Sequence, residues 1–521
     1  MKSLIYAALL GGVISVAGGS AGAQTDKPDQ PQPSMQSQLS DQLQPSNRLQ
    51  LSDQPQPTNQ PQPINQPQPT KQPQPTKPSC FDSLWDYLKS SVRDCPLRYG
   101  PFTLYGNLDG GYGYSLYGAP VGPSADKPNY FIQRNSRDVH WLWSPNAAST
   151  SVAGIRFAQK LGDEWEAIGV LETGFNPYSL QLINGPQSLV DNNLRKILNQ
   201  QTQFDSSRAG QFDNSQGFFG VSNPIYGTLT FGRTNTLVQQ ALGAFDPVQS
   251  VAFSQLGFSA LYAGLGAGPT NRTNTAVTYR LTYQGFRFAF QAQAGGYNQG
   301  NAATSNYQLQ IGTDIGKLTF DVIGGFAENA VTLSSLGGAA IPAGFDPSSN
   351  LRATLSNTGG AALMARYNWK PFQFYGGYIS SRTTNPSDNF PFGLPTIASG
   401  ITVPAGFVTS NNFTVPRNLN TFWTGVKYAV RPNIDLAAGI YFEHQNDFLP
   451  APAICTGSGT ATSSTRCAGD RWSYSFMIDY RPVSRISLYA GLMVSNVSGG
   501  IASGFLHTTN VDPTVGLRFR F

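Results

Sequence analysis

Residues 102–114 read FTLYGNLDGGYGY, and the fold turns on how that stretch is read. Phe102, Leu104, Leu108, Tyr112 and Tyr114 alternate with Thr103, Tyr105, Asn107 and Asp109. Successive strand side chains point to opposite faces, so a period of two gives one apolar wall and one largely polar wall. The pattern returns at the far end, where Val515, Leu517, Phe519 and Phe521 alternate with Gly516, Arg518 and Arg520. A soluble sandwich would bury such an apolar face as core, whereas a barrel in a bilayer would turn it to lipid.

Working outward from 102–114, strands are predicted at 150–161, 165–175, 215–222, 226–234, 273–283, 286–297 and 305–315. The second half continues at 318–327, 357–369, 372–382, 420–430, 433–444, 471–481, 485–496 and 510–521. With 102–114 these make sixteen strands, an even number. Short turns such as Leu161-Gly162-Asp163-Glu164, Gln284-Gly285, Gly316-Lys317 and Arg431-Pro432 interleave with longer loops rich in Asn, Ser and Gly. Short turns on one side and long loops on the other are the mark of an outer-membrane-type barrel. Only 12% of the residues are charged, while Gly 55, Tyr 23 and Phe 32 are high counts. Typical soluble domains carry about 25% charged residues. Beyond the first residues no run of about 18 apolar residues occurs, so no transmembrane helix is predicted. The expected fold is all-β: a 16-stranded antiparallel transmembrane β-barrel over 99–521. Closure is required, because an open sheet edge in hydrocarbon leaves backbone groups unpaired at several kcal/mol each. Tyr114, Trp165, Trp369, Phe372, Trp472 and Phe521 fall near strand ends, where interfacial girdles form. A secreted soluble β protein is the alternative.

The N-terminal part divides into three. Lys2, the apolar run Leu4 to Ala17 and the small-x-small triplet Ala21-Gly22-Ala23 fit a signal peptide over 1–23; the run is too short for a membrane anchor. Residues 24–79 are Pro/Gln-rich, with QPQPTN, QPQPIN, QPQPTK and QPQPTK repeating every six residues from Gln54. Too few apolar residues are present to offset ordering entropy, so a disordered or polyproline-II tether is expected there. At about 3.1 Å per residue its extended reach is on the order of 170 Å. Cys80 to Cys95 has helical spacing, with Phe81, Leu84, Trp85, Leu88 and Val92 on one face, and 80–98 is expected to hold a short amphipathic helix. Two readings stand for it: packing under the barrel mouth, or binding a partner.

Four cysteines fall as local pairs, Cys80 with Cys95 and Cys455 with Cys467. In an exported chain an even, locally paired count predicts two disulfides. No His lies near either pair, so no metal is expected, and nothing calls for a cofactor. The net charge of +5 has no clustered basic stripe, which argues against nucleic acid.

Five fragments, in order, resemble the general Gram-negative porin family across essentially all of 102–521. They are FTLYGNLDGGYGY, GIRFAQKLGDEWEAIGVLETGF, GFFGVSNPIYGTLTFGRT, NRTNTAVTYRLTYQGFRFAFQ, and the closing LYAGLMVSNVSGGIASGF through VGLRFRF. The resemblance implies a trimeric 16-stranded barrel in outer-membrane lipid and lipopolysaccharide. It implies loop 3, about Asn235 to Gly268, folded inward as a constriction, and passive passage of small hydrophilic solutes without catalysis. It also implies assembly by the barrel-assembly machinery through the strand ending at Phe521. The Pro/Gln tether departs from the pattern, as does a loop 3 whose one acidic residue is Asp246.

Parity assigns the lumen. Arg156, Arg272, Arg280, Arg287, Arg366, Lys427, Arg518 and Arg520 fall on polar faces. So do Asp109, Glu166, Glu172, Asp314, Asp321, Asp435, Glu443 and Asp479. By resemblance the constriction candidates are Arg156, Arg233 and Arg272, with Asp246, Glu172 and Asp109 as acidic members, and a mild anion preference is expected. Arg233 shares parity with lipid-facing Phe231, so either a bulge at Gly232 turns it inward or it snorkels at the rim. Two rival classes remain. An outer-membrane enzyme would have to use His140, His444 or His507. A mechanical protein would bind peptidoglycan through 24–96, with conduction secondary.

Overall fold

The structure is a computed structural model that describes residues 80–115, 140–180, 182, 212, 214–249, 253–258, 272–293, 305–335, 351–387, 397–398, 401–402, 408–410, 414–448, 466–502 and 507–521. The signal-peptide and tether expectations for 1–79 lie outside the described residues, as does Cys455.

Sixteen strands form the wall. They are β1 (Phe102–Ser115), β2 (Ser151–Gly162), β3 (Trp165–Phe175), β4 (Gln216–Asn223), β5 (Gly227–Asn235), β6 (Arg272–Tyr283), β7 (Phe286–Gln293) and β8 (Ser305–Ile315). Then follow β9 (Leu318–Ser335), β10 (Leu351–Trp369), β11 (Phe372–Thr384), β12 (Arg417–Arg431), β13 (Ile434–Gln445), β14 (Gly469–Val483), β15 (Ile486–Val497) and β16 (Thr509–Arg520). Each pairs antiparallel with the next, and β16 returns to pair with β1 from Asn107↔Arg520 to Gly113↔Thr514. The sheet is closed.

One rung of the register shows why the period of two governs. From β7 to β14 it runs Phe288, Ile311, Val322, Leu363, Tyr378, Phe422, Phe442, Trp472, all on the outer face. The next rung inward reads Arg287, Gly312, Asp321, Met364, Gly377, Trp423, Tyr441, Ser473. Outer neighbours pack ring against ring across strands, tilted to each other, with Tyr378 and Phe422 at 4.5 Å and Phe442 and Trp472 at 4.6 Å between ring centroids. Such pairs add about 0.5–1.5 kcal/mol beyond their area burial.

The closing seam is extended below β16. Gly106 exchanges both backbone hydrogen bonds with Phe521, at 3.0 and 3.1 Å. The Phe521 ring covers Gly106 so closely that a Cβ there would strike it. Since β2 occupies the other edge of β1 at 102–107, the short strand Leu97–Tyr99 pairs on the β16 edge, with Tyr99↔Phe102 and Leu97↔Leu104.

Elsewhere the strands differ from expectation in extent. β9 and β10 run on to Ser335 and back from Leu351, with the register shifting between Ala327 and Ala330. Glu328 and Asn329 interrupt the apolar alternation at that bulge, which hides the continuation. The strand His140–Pro145, which the alternation did not predict, pairs with the upper half of β1 and leads into β2. The helix is also shorter than its spacing predicts: α1 covers Leu84–Lys89 alone. Ser83 caps it by accepting from the Asp86 N–H at 3.1 Å. Ser90 donates to the Asp86 carbonyl at 2.7 Å, while the Ser91 hydroxyl accepts from the Asp94 N–H at 3.1 Å. These serines draw on backbone groups that a continuing helix would use. Cys80 and Cys95 form a disulfide across it.

Candidate functional site

The described residues following β5, 236–249 and 253–258, lie against the inward face of the barrel. Thr236 caps α2 (Leu237–Leu242), a 3₁₀ turn follows over Gly243–Phe245, and α3 covers Gln255–Phe258. Leu237, Leu242, Phe245, Phe253 and Leu256 are buried in one cluster with the inward residues Ile323, Ala362, Ile379, Trp423, Met477 and Met493. In a hydrated lumen those inward apolar side chains would meet water; here they are buried in one cluster with the segment. Full burial of one Leu or Phe contributes about 1.5–3 kcal/mol.

Polar contacts fix its course around the wall. The Leu237 N–H donates to Gln308 Oε1 on β8 at 2.8 Å, and Arg366 Nη1 on β10 donates to the Ala244 carbonyl at 3.3 Å. Trp423 Nε1 on β12 donates to the Phe245 carbonyl at 2.9 Å, and the Tyr441 hydroxyl on β13 to Asp246 Oδ1 at 2.7 Å. Phe253 then meets Tyr489 on β15 edge-on, with 6.3 Å between centroids. The segment therefore leaves the β5 side of the barrel and is held against the opposite wall.

The six candidates from the sequence fall into three places. Arg156, Glu172 and Arg233 are joined. The Arg156 guanidinium lies 3.9 Å from the Tyr105 ring centroid, and the Tyr105 hydroxyl donates to Glu172 Oε2 at 2.8 Å. Ser215 donates to the other oxygen of Glu172, and its carbonyl accepts from Arg233 Nε at 2.9 Å. Arg233 Nη2 also donates to the Asn214 carbonyl at 2.8 Å. Gly232 has φ 131 and the β5–β6 register shifts between Gly232 and Thr234, so the bulge is present and Arg233 is buried. Arg272 stands beside this group, opposite Asn235 in register and buried.

Asp109 is elsewhere, at the seam. It accepts from the Tyr489 hydroxyl at 2.8 Å, the Ser149 hydroxyl at 2.9 Å and the Ala148 N–H at 3.1 Å. It thereby ties the stretch between His140–Pro145 and β2 to the wall. Asp246 is the third place, on the β13 wall with Tyr441.

A second set of inward groups, all of them among the lumen-parity charges except Arg481, is joined in ion pairs. Toward the short-turn end, Lys427 and Asp435 pair at 3.0 Å, Arg481 bridges Asp435 at 2.9 Å and Asp479 at 3.2 Å, and Arg518 reaches Asp479 at 3.7 Å. Arg287 bridges Asp314 and Asp321 on β8 and β9. Arg481 shares the parity of Asp479, so alternation alone would have found it. Tyr105, Ser215 and Trp423 carry no such signal, because an inward aromatic or hydroxyl reads like any other strand residue.

Comparison with known proteins agrees with this architecture. Residues 100–500 match the sequence profile of the Gram-negative porin family. Over 190 residues, 36% of this chain, the sequence is 28% identical to an outer membrane porin protein of Bordetella pertussis, and the match spans 40% of that relative. The anion-selective porin from Comamonas acidovorans superposes with a TM-score of 0.50 at 15% identity, over 81% of this chain and 99% of that one. OmpT of Vibrio cholerae gives 0.49 at 12% identity, over 82% and 99%.

Proposed function

The chain belongs to the Gram-negative porin family, and from that premise we propose that it forms a water-filled outer-membrane channel for passive diffusion of small hydrophilic solutes and ions. One observation carries the reading: a closed sixteen-strand wall, apolar outside and charged inside, with the described part of the chain after β5 packed on its inward face. The docked segment is the constriction in this reading. Arg156, Arg233 and Arg272, with Glu172, form the basic wall facing it in this reading, and Asp246 is held by Tyr441 on β13. Low-dielectric walls focus the field of such groups where a pore is narrowest, so a mild anion preference follows. The likeness to the Comamonas acidovorans porin, at 15% identity, supports the fold alone.

Purified protein in a planar bilayer tests this. Stepwise, ohmic conductance with closures in triplets is expected, since a homotrimer is part of the reading. A preparation that folds into bilayers and passes no current overturns it.

Three finer points belong to the same proposal. The barrel-assembly machinery acts on the strand ending at Phe521. Segment 24–79 lies in the periplasm, with 24–96 available to peptidoglycan, and lipid and lipopolysaccharide surround the wall. In this reading the protein is not an enzyme, and His444 serves as an exposed cross-strand partner of Asp470 at 2.7 Å, opposite it in the β13–β14 register.

A further inference from the structure

The N-terminal module makes a contact that neither barrel closure nor diffusion requires. Arg485 lies in the turn between β14 and β15, and by the alternation of β15 it shares the inward face with Ser487 and Tyr489. It is only 1% exposed. Its Nε donates to the Tyr87 carbonyl at 2.8 Å, and Nη2 donates to the carbonyls of Ser91 at 3.3 Å and Cys95 at 2.6 Å. The guanidinium sits 3.8 Å from the Tyr87 ring centroid, and the Phe81 ring stacks on Tyr87 at 5.8 Å.

These acceptors are spaced four residues apart, at and beyond the carboxyl end of α1. The Tyr87 carbonyl lies in the last turn of α1, where the end of the helix leaves carbonyls without an intrahelical partner and its dipole favours a cation. The Ser91 carbonyl accepts from the Cys95 N–H at 3.0 Å as well as from Arg485. The Cys80–Cys95 disulfide holds the turns together, so the three oxygens converge on one planar, fork-shaped donor. A few residues on, Leu97–Tyr99 is hydrogen-bonded to β1. The module is therefore fixed at two points, on β1 and on the β14–β15 turn. Between them lie β15, β16 and the β16–β1 seam at which the barrel closes.

We propose that residues 80–99 staple the closing seam of the barrel, with Arg485 as the clamp and the disulfide as the brace that presents its three acceptors. Arg485 is a positioning residue here. The staple does not depend on which side of the membrane segment 24–79 lies.

The test uses the full-length protein folded in detergent. Trypsin cleavage after Lys89 and Arg93 reads the clamp, and the temperature at which the folded barrel unfolds in SDS electrophoresis reads the seam. Arg485→Ala is expected to speed cleavage at least about tenfold, since proteolysis follows the population of the released form. It should also lower the unfolding temperature. Cys80→Ser with Cys95→Ser should do both, and adding Arg485→Ala to that pair should cost nothing more. Arg485→Lys, which keeps the charge but loses the fork, should fall between wild type and Arg485→Ala. Wild-type cleavage in Arg485→Ala overturns the clamp. Faster cleavage at an unchanged unfolding temperature overturns the staple.

Discussion

Arg156 shows how one residue reports on the pore's charge. Its guanidinium lies on the Tyr105 ring, while that tyrosine's hydroxyl binds Glu172. Glu172 also accepts from Ser215 and Gln216, so its lone pairs are engaged by the wall. Glu172 is thereby held by the wall, with the Arg156 guanidinium beside it on the Tyr105 ring. Arg156→Gln together with Arg272→Gln should shift the zero-current potential in a salt gradient toward cation preference. A unit charge about 4 Å from an ion is worth about 1 kcal/mol in water and more beside a low-dielectric wall. A several-fold change in the permeability ratio is therefore expected. The shift should fade toward 1 M salt, where screening acts over about 3 Å. A wild-type pore that already prefers cations would show that these arginines do not set the field.

Among the elements, β5 is one whose alternation fails, and its failure is useful. Gly232 adopts φ 131, and a Cβ on it would run into the Gly217 carbonyl. Gly232→Ala should destabilise the barrel by about 1–3 kcal/mol, the usual cost of strained backbone. Urea unfolding in lipid vesicles reads it; an unchanged midpoint would mean that another conformation serves β5 equally well. The inward segment gives a sharper case. Trp423→Phe keeps an aromatic ring but leaves the Phe245 carbonyl without its donor. A buried carbonyl so left costs about 1–3 kcal/mol. The segment should loosen, seen as more open-channel current noise at unchanged barrel stability, and a quiet trace identical to wild type would count against its role as constriction.

These elements also mark what was legible in the sequence. Alternation fixes lipid and lumen faces because hydrocarbon punishes every exception, so the sixteen strands stand out and β8 and β3 match to the residue. Where the wall meets protein instead of solvent or lipid, that pressure disappears. Ile323, Ile379 and Trp423 sit on a nominally polar face because the inward segment covers them, and no local period announces it. Arg485 was invisible for a similar reason. A turn arginine reads as solvated until the module that uses it is in place.

At the scale of the molecule, topology sets the expectation for where the chain enters the barrel. β1 begins and β16 ends side by side, with Gly106 bonded to Phe521, at the end of the barrel that carries the short turns. In barrels of this kind short turns face the periplasm and long loops face outward. Residues 80–99 hold to that same rim through Arg485 and β1. The segment before Cys80 is thus expected to start on the periplasmic side. A single cysteine at Pro61→Cys, labelled with a membrane-impermeant maleimide, tests this, with Ser387→Cys beyond β11 as the opposite pole. On intact cells Ser387→Cys should react and Pro61→Cys should stay silent. After the outer membrane is permeabilised, both should react. Labelling of both on intact cells would mean that the segment reaches the outside. Labelling of Pro61→Cys alone would mean that the barrel is inserted the other way up.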